Sequence, residues 1–296
     1  MATPADSWER DAAGLVDFHV HLTSPAIKAQ ADRYADRDPY FSLLAHTPNN
    51  RYATAPELVA DMEAHGVRQA VVFGFAFRDQ GLCREANEYT LEAVRRYPQL
   101  VGFAVVNPRL EGAVAELERC RSLGLRGVGE LFAYGQGFDP GDPHQMGPVA
   151  EACQEWGWPL ILHLNEPVGH LYPGKVPTPL QAAVALAQAF PRLKLVLAHF
   201  GGGLLFYELM PELQQALKNV YYDTAAAPLL YRPAIYEAAA AAGVWEKLLF
   251  ATDYPLVSWP RAVRHVQSAG LDADRQAQLF AANARRLLGT LPRESC

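Results

Sequence analysis

The strongest constraint on the fold is a regular alternation of short apolar, β-rich runs with helical patterns. The eight runs are LVDFHVH (15–21), QAVVFGFAF (69–77), LVGFAVVNP (100–108), LRGVGELF (125–132), PLILHLN (159–165), KLVLAHF (194–200), VYYDTA (220–225) and KLLFATD (247–253). Their continuous apolar character is typical of strands buried on both faces, as in a parallel sheet. Eight strands that each precede a helix predict a (β/α)8 TIM barrel, with a doubly wound open sheet as the structural alternative.

The segments between the runs carry the periodicity of amphipathic helices. Ala86, Thr90, Ala93 and Tyr97, for example, recur at the spacing of one helical face. The chain has 296 residues, a length at which α/β barrels fold around one core. We therefore predict a single barrel domain over residues 1–296, with residues 1–14 as an N-terminal extension.

Charge and composition argue against several classes of protein. Lys and Arg total 26 and Asp and Glu total 32, so the net charge is −6, without the basic run of a nucleic-acid binder. The N-terminal MATPADSWERDAAGL lacks the features of a signal peptide, and no apolar run approaches the roughly 18 residues of a membrane span. Four widely spaced cysteines indicate a reducing compartment. We expect a cytoplasmic protein without nucleic-acid or membrane partners.

Three long connections, residues 23–55, 133–146 and 166–179, each follow a predicted strand. Loops after barrel strands lie on the C-terminal face, where barrel enzymes place their active sites. We expect these loops to wall the site of a small-molecule substrate. The candidate substrate-binding residues are Arg78, Asn165, His170 and Tyr172, and Arg51 and Arg232 are further candidates for binding a substrate carboxylate.

Polar side chains of the types that bind metals fall at the C-terminal ends of the apolar runs. His19 and His21 lie two apart in the first run, so both imidazoles point to the same face of the strand. In a closed barrel the strand ends converge on one mouth, and imidazole with carboxylate suits Zn²⁺ or Mn²⁺. We predict a divalent metal, with Zn²⁺ favoured over Mn²⁺. The predicted ligands are His19, His21, Glu130, His163 and Asp253, with His199 beside them.

Several of these residues also have a purely structural interpretation. Glu130 is positioned to pair with Arg126 or Arg78 instead, and Asp253 to cap a following helix. Asp17 shares the face of the two first-strand histidines but lies deeper, which favours an outer role that supports the metal ligands. Asp223, at the end of the seventh run, is interpreted as a structural hydrogen-bond acceptor.

The motifs resemble the amidohydrolase superfamily. The segments that carry the resemblance are HVH at 19–21, LILH ending at His163, LAHFGGG at 197–203, FATDYP at 250–255 and NARRLL at 283–288. They are most similar to the branch that contains aminocarboxymuconate semialdehyde decarboxylase and other metal-dependent hydrolases and decarboxylases. The resemblance spans Leu15 to Leu288.

That resemblance implies a (β/α)8 barrel with a divalent metal held by His19, His21, His163 and Asp253 and a catalytic role for the sixth-strand histidine. Many superfamily hydrolases carry a carbamylated lysine at the end of the fourth strand to bridge two metals, and this chain has Glu130 there. The number of ions, one or two, is therefore left open. Related enzymes often form dimers, which implies a homodimer.

Hydrolysis of a small amide, lactone or cyclic ester is the first functional expectation. Asp253 would take the proton of a metal-activated water, and His199 would stabilise the developing oxyanion. The alternative is non-oxidative decarboxylation of an unsaturated or aromatic carboxylic acid at the same site. A non-catalytic metal-binding barrel is a third hypothesis, disfavoured because structural zinc sites are normally closed cages of cysteine and histidine.

Overall fold

The computed structural model describes residues 14–47 and 50–289, so most of the predicted N-terminal extension lies outside the described residues. Eight strands alternate with helices in the predicted order. They are β1 (Leu15–His21), β2 (Val67–Phe73), β3 (Leu100–Gly102), β4 (Val128–Leu131), β5 (Pro159–Leu162), β6 (Lys194–Leu197), β7 (Val220–Asp223) and β8 (Leu248–Leu249).

Helices follow the strands and pack outside them. The α-helices are Pro25–Ala29, Ala31–Ala35, Pro39–Ala45, Ala55–Ala64, Gln80–Arg96, Ala113–Ser122, Ala133–Gln136, Pro143–Trp156, Leu180–Ala189, Pro211–Ala216, Ala227–Leu230, Ile235–Ala241, Trp259–Gln267, Ala273–Ala277 and Asn283–Gly289. Leu204–Leu209 and Trp245–Lys247 are 3-10 turns, and Gln278–Ala282 is a π-helical segment. On the helix Gln80–Arg96 the predicted face is buried at Ala86, Thr90 and Ala93. Within residues 14–47 and 50–289, no helix is long and apolar enough to cross a bilayer.

The strands close into a barrel. All paired strands are parallel, in the orders β1–β2–β3 and β4 to β8. Bridges between Ala104 and Val128 and between Val20 and Tyr254 join the two sheets on both sides. At the second seam Phe18 N donates to Phe250 O over 2.9 Å. Closure confirms the (β/α)8 barrel and excludes the open sheet.

Several strands are shorter than the apolar runs that predicted them. The third run continues to residue 108, but β3 ends at Gly102. Val105 is fully buried, and it exchanges hydrogen bonds with the Asn87 side chain, whose Oδ1 accepts from Val105 N at 2.8 Å and whose Nδ2 donates to Val105 O at 2.9 Å. The apolar run continues past the end of β3 because residues covered by the loops are also removed from water, and burial favours apolar side chains whether or not the backbone pairs in a sheet.

Candidate metal centre and active-site cavity

The predicted metal ligands converge at the C-terminal mouth of the barrel. His19 and His21 lie at the end of β1, and Glu130 lies in β4. His163 follows β5, His199 follows β6 and Asp253 follows β8. Two groups of three donors each lie within coordinating reach of a common point: His19, His21 and Asp253 in one, and Glu130, His163 and His199 in the other.

The first donor group is built mainly from β1 and the end of β8. The Nε2 atoms of His19 and His21 are 3.3 Å apart, and Asp253 Oδ1 is 3.8 Å from the first and 3.2 Å from the second. Glu130 Oε2 is 3.6 Å from each of the two histidine nitrogens. Neighbouring ligands of a tetrahedral Zn²⁺ site lie about 3.3–3.4 Å apart, given metal–ligand distances near 2.0–2.1 Å. The spacing of this group is that of a coordination site.

The second donor group uses the other oxygen of the same glutamate. Glu130 Oε1 is 2.9 Å from His163 Nδ1 and 3.6 Å from His199 Nε2, and the two histidine nitrogens are 3.3 Å apart. Glu130 therefore lies between the two groups, with one carboxylate oxygen directed at each.

Local backbone geometry places Glu130 there. The β4–β5 register shifts between Val128 and Leu131. Gly129 has φ +125°, and a Cβ at this position would lie 2.6 Å from Ile161 O. Only glycine tolerates both the conformation and the close approach. The alternative pairing of Glu130 with Arg78 does not occur, because the Arg78 Nε donates to Gly135 O at 3.1 Å.

Outer hydrogen bonds determine which ring nitrogen of His19 faces the cluster. His19 Nδ1 lies 2.9 Å from Asp223 Oδ2, and both side chains are fully buried. A carboxylate only accepts, so Nδ1 carries the proton and Nε2 presents a lone pair. Asp223 Oδ1 also accepts from the backbone N of His199 at 2.9 Å. The structural role inferred for Asp223 from sequence thus includes orienting a predicted metal ligand.

His199 is held in the same way within a left-handed turn. Its Nδ1 lies 3.0 Å from Ala225 O, a carbonyl that only accepts, so its Nε2 also presents a lone pair. His199 and Phe200 have φ +59° and +56°, and Gly201–Gly203 continue with positive φ. Left-handed conformations cost L-residues about 1–2 kcal/mol each, so this turn is maintained by its surroundings.

The donor atoms therefore suit a cation. Buried imidazole lone pairs and carboxylate oxygens facing one another at these distances would repel without positive charge between them. In the absence of a cation, burial alone would lower the pKa of His19, but Glu130 and Asp223 hold it well above its usual value. Burial would likewise lower the pKa of His199, yet Glu130, Asp253 and Asp223 raise it to about 9. Imidazole and carboxylate are ligands that fit Zn²⁺ and Mn²⁺.

Asp17 links β1 to the segment that carries Asp253. Its Oδ1 accepts from the backbone N of His19 and of Thr252, each at 3.1 Å, and its Oδ2 accepts from Thr252 Oγ1 at 2.5 Å and Trp259 Nε1 at 2.8 Å. Burial raises the pKa of Asp17 to about 6 although all these hydrogen bonds favour the charged form. The outer role predicted from the sequence matches these contacts. The N-cap position of the helix after Asp253 is Ser258, so Asp253 does not cap it.

The cluster borders a cavity of about 450 Å³ whose wall includes several aromatic side chains. The Tyr40 and Phe132 rings stack with centroids 3.9 Å apart, and Phe75 lies on Tyr40 at 6.2 Å. Phe132 also packs edge-on against His163, with centroids 4.8 Å apart. The aromatic wall is therefore in direct contact with a predicted metal ligand.

The sequence profile of the amidohydrolase family matches residues 16–290. The chain belongs to the amidohydrolase family. Membership confirms the resemblance read from the strand-end motifs, and it identifies the protein as an enzyme. No curated protein sequence matches the chain.

Solved structures share the fold of this amidohydrolase at low identity. The 5-carboxyvanillate decarboxylase of Sphingomonas paucimobilis superimposes with a TM-score of 0.74 at 20% identity, covering 93% of this chain and 99% of that one. The enzyme of the same kind from Novosphingobium aromaticivorans, solved with manganese and a nitrobenzoic acid, gives 0.74 at 17% identity over 95% and 97%. A 2,6-dihydroxybenzoate decarboxylase from Rhizobium gives 0.69 at 19% identity over 93% and 98%.

The predicted substrate-binding residues separate into two groups. Asn165, His170 and Tyr172 line the cavity. Arg78 does not: its guanidinium donates to Gly135 O, and its backbone N donates to Asp38 Oδ2 at 2.8 Å. Arg78 therefore joins neighbouring loops, and its role in substrate binding stays a prediction. Among the arginines considered, Arg51 lines the cavity.

The aromatic wall of Tyr40, Phe75 and Phe132 was not predicted from the sequence. Tyr40 lies in the long connection after β1, whereas Phe75 lies near the end of one apolar run and Phe132 ends another, where both look like ordinary core residues. The sequence signal for such a wall was the presence of aromatic residues near the strand ends that carry the predicted metal ligands. Without the fold, these rings could not be assigned to the cavity rather than to the core.

Proposed function

We propose that this amidohydrolase-family enzyme is a divalent-metal-dependent decarboxylase that acts on a single-ring aromatic carboxylic acid. The aromatic cavity against the metal cluster is the feature that most favours this function. Solved decarboxylases of aromatic acids with the same fold add support. Decarboxylation thus replaces the hydrolysis of an amide or lactone as the leading hypothesis.

The cavity matches such a substrate in size and polarity. Its volume, about 450 Å³, is that of a small-ligand pocket. Phe75, Tyr40 and Phe132 present ring surfaces on which an aromatic ring packs favourably. Arg51 at the cavity wall supplies a cation for a further anionic or phenolic substituent.

The metal would be held by the predicted ligand set, His19, His21, Glu130, His163 and Asp253. We propose Zn²⁺ or Mn²⁺ at this site on the basis of the donor types. When bound, such an ion would act as a Lewis acid that neutralises the charge of the substrate carboxylate and orients it. The surrounding aromatic side chains exclude water from the reacting carbon.

The chemistry requires one proton. As the bond between ring and carboxylate breaks, CO₂ leaves and the electron pair remains on the ring carbon, which then takes a proton. His199 Nε2 borders the cavity and lies 3.6 Å from Glu130 Oε1, so it is placed to hold that proton. The His199 ring is kept in position by its hydrogen bond to Ala225 O.

Product analysis in deuterium oxide tests this function. Purified metal-loaded protein is incubated with hydroxylated and methoxylated benzoic acids, and CO₂ and the aromatic product are quantified. Decarboxylation releases CO₂ and places one deuterium on the ring carbon that bore the carboxylate. Turnover of lactones or amides with no CO₂ from any aromatic acid would contradict the proposal.

Metal-dependent hydrolysis is the second candidate, favoured by the second donor group of Glu130, His163 and His199. Paired ions bridged by a carboxylate are typical of hydrolytic sites. In that state His199 would bind metal, and Asp253 would take the proton of the attacking water. Elemental analysis separates the two candidates: one ion per chain agrees with decarboxylation, whereas two ions and oxygen transfer from labelled water to the product support hydrolysis.

A further inference from the structure

We infer that Asn165 is a positioning residue that selects the metal-facing nitrogen of His163 and couples the loop of residues 166–179 to the metal centre. The inference replaces the direct substrate contact expected from the sequence. It rests on the proposed metal centre but not on the reaction catalysed there.

The orientation of the Asn165 amide is determined by its neighbours. The backbone N of Val176 donates to Asn165 Oδ1 at 3.0 Å, and Asn165 Nδ2 donates to Tyr172 Oη at 3.2 Å. Exchanging the amide oxygen and nitrogen would place two donors face to face at Val176. The atom nearest His163 is therefore an oxygen that can only accept.

That oxygen determines the tautomer of His163. His163 Nε2 lies 3.2 Å from Asn165 Oδ1, and its Nδ1 faces the Glu130 carboxylate, so both ring nitrogens face acceptors. When a cation takes the place of a proton at Nδ1, Nε2 carries the proton of the neutral ring and donates it to Asn165 Oδ1. The lone pair is then on Nδ1, which lies 2.9 Å from Glu130 Oε1 and 3.3 Å from His199 Nε2. Without Asn165 the ring would lose the acceptor that keeps its Nδ1 lone pair directed at the cluster.

The same amide connects His163 to the loop that covers the cavity. Tyr172, which accepts from Asn165, donates in turn to Glu166 Oε2 at 3.1 Å. Val176, at the other end of the loop, donates to the same side chain. A shift of the loop therefore changes the partners of Asn165, and a shift of His163 is transmitted to the loop.

Close packing prevents Asn165 from adjusting freely. The residue is 3% exposed. The turn after β6 approaches its backbone so closely that a Cβ on Gly202 would lie 2.4 Å from Asn165 O. The hydrogen bonds are thus made by a side chain whose backbone is fixed.

Metal affinity measured by chelator competition tests the positioning role. We expect Asn165→Ala to weaken Zn²⁺ or Mn²⁺ binding by about 10- to 100-fold, as for other residues that orient metal ligands. Asn165→Asp keeps an acceptor for both His163 and Val176 and should restore affinity to within about 3-fold of wild type. Tyr172→Phe, which removes only the loop contact, should leave affinity unchanged.

Asn87→Ala is the matched control for loss of a buried asparagine. Its amide also spans two backbone groups, those of Val105, but far from the metal centre, so it should reduce stability without changing metal affinity. Equal metal affinity of wild type and Asn165→Ala, each confirmed as folded by circular dichroism, would overturn the inference. Absence of metal binding by the wild type would instead contradict the metal centre itself.

Two readouts other than affinity address the tautomer and the coupling. NMR of isotope-labelled histidine in the metal-loaded protein should find the proton of His163 on Nε2, and a proton on Nδ1 would refute the assignment. Trypsin cleavage after Lys175 should slow by about 5-fold or more on metal loading of the wild type, the range of ordinary coupling free energies. The same protection in Asn165→Ala would refute the coupling.

Discussion

At the scale of single residues, the centre depends on acceptors placed behind its histidines. The imidazoles of His19, His163 and His199 each have one ring nitrogen held by a carboxylate, an amide oxygen or a backbone carbonyl. Such partners fix the ring plane, which leaves the remaining nitrogen of each ring directed at the donor cluster. The arrangement costs little entropy on binding because the rings are already oriented.

Removal of His163 should abolish both metal retention and turnover. His163→Ala deletes a donor of the second group and leaves Glu130 Oε1 without its closest partner, at 2.9 Å. Elemental analysis and an activity assay measure the two effects. His170→Ala, which alters the cavity wall outside both donor groups, is the control and should keep its metal. A His163→Ala protein with normal metal content and turnover would remove His163 from the site.

Asp17→Asn should destabilise the protein by about 2–3 kcal/mol, because an amide in place of the carboxylate leaves buried donors unpaired. An amide oxygen in the place of Oδ1 keeps the backbone N–H partners, so the donors at risk are the two that bond to Oδ2, the Thr252 hydroxyl and the indole N–H of Trp259. Urea unfolding measures the change. Asp272→Asn is the control, since that residue caps the helix Ala273–Ala277 and asparagine caps equally well. Equal midpoints for the two variants would contradict the role given to Asp17.

At the scale of elements, the turn after β6 is the most constrained segment of the site. Gly202 combines φ +59° with the close approach to Asn165 O. Gly202→Ala should therefore lower stability by more than the roughly 1–2 kcal/mol of a left-handed alanine alone. Gly270→Ala is the control, because Gly270 has φ +70° but nothing within 4 Å of an added Cβ.

The comparison of these two glycines separates conformation from contact. Thermal unfolding and metal content are measured for both variants. We expect Gly270→Ala to keep its metal, and Gly202→Ala to lose part of it because the backbone beside Asn165 must move. Equal losses of stability would show that the close approach has no consequence.

An ion pair with a buried carboxylate anchors the 3-10 turn Leu204–Leu209, which follows the glycine turn, to the barrel. Lys247 Nζ donates to Glu208 Oε1 at 2.7 Å, and Tyr222 Oη donates to the same oxygen at 2.7 Å. Lys247→Met leaves the carboxylate buried without its cation and should destabilise by about 3–5 kcal/mol. Lys28→Met removes the cation of the exposed pair with Glu57 and should cost at most about 1 kcal/mol. Denaturant titration distinguishes the two, and similar values would argue against a buried pair.

At the scale of the whole molecule, barrel closure creates the centre. β1 and β8 are separated by more than two hundred residues, yet His21 Nε2 and Asp253 Oδ1 lie 3.2 Å apart. Metal binding should therefore stabilise the closed barrel as a unit. The expected homodimer and the expected absence of nucleic-acid and membrane partners remain predictions.

Chelation should lower the thermal stability of the loaded protein. A ligand present at 100 times its dissociation constant stabilises the native state by about 2.7 kcal/mol. For a chain of this size each kcal/mol corresponds to about 2–4 °C, so a downward shift of several degrees is expected on metal removal. Differential scanning fluorimetry with and without chelator measures it. His163→Ala should show no chelator-dependent shift, and an unchanged wild type would argue against a resident metal.

The sequence was sufficient for the barrel and for the prediction that the candidate ligands stand at the strand ends, because both depend on local periodicity. His19 and His21 share a face by strand geometry, and the other donors end apolar runs of the same kind. The contacts of Arg78 were not evident from the sequence, for a simple reason. A sequence shows that an arginine follows a strand but not that a nearby carbonyl, Gly135 O, takes its guanidinium.

Local pattern thus determined which residue types stand at the strand ends and that the strands alternate with helices. Only the tertiary structure decided that both oxygens of Glu130 face histidines, that an asparagine oxygen lies behind His163, and that Tyr40 belongs to the cavity. These facts depend on distances between segments far apart in the chain. Periodicity indicates the face on which a side chain lies, but contacts across the barrel mouth arise only when the ring closes.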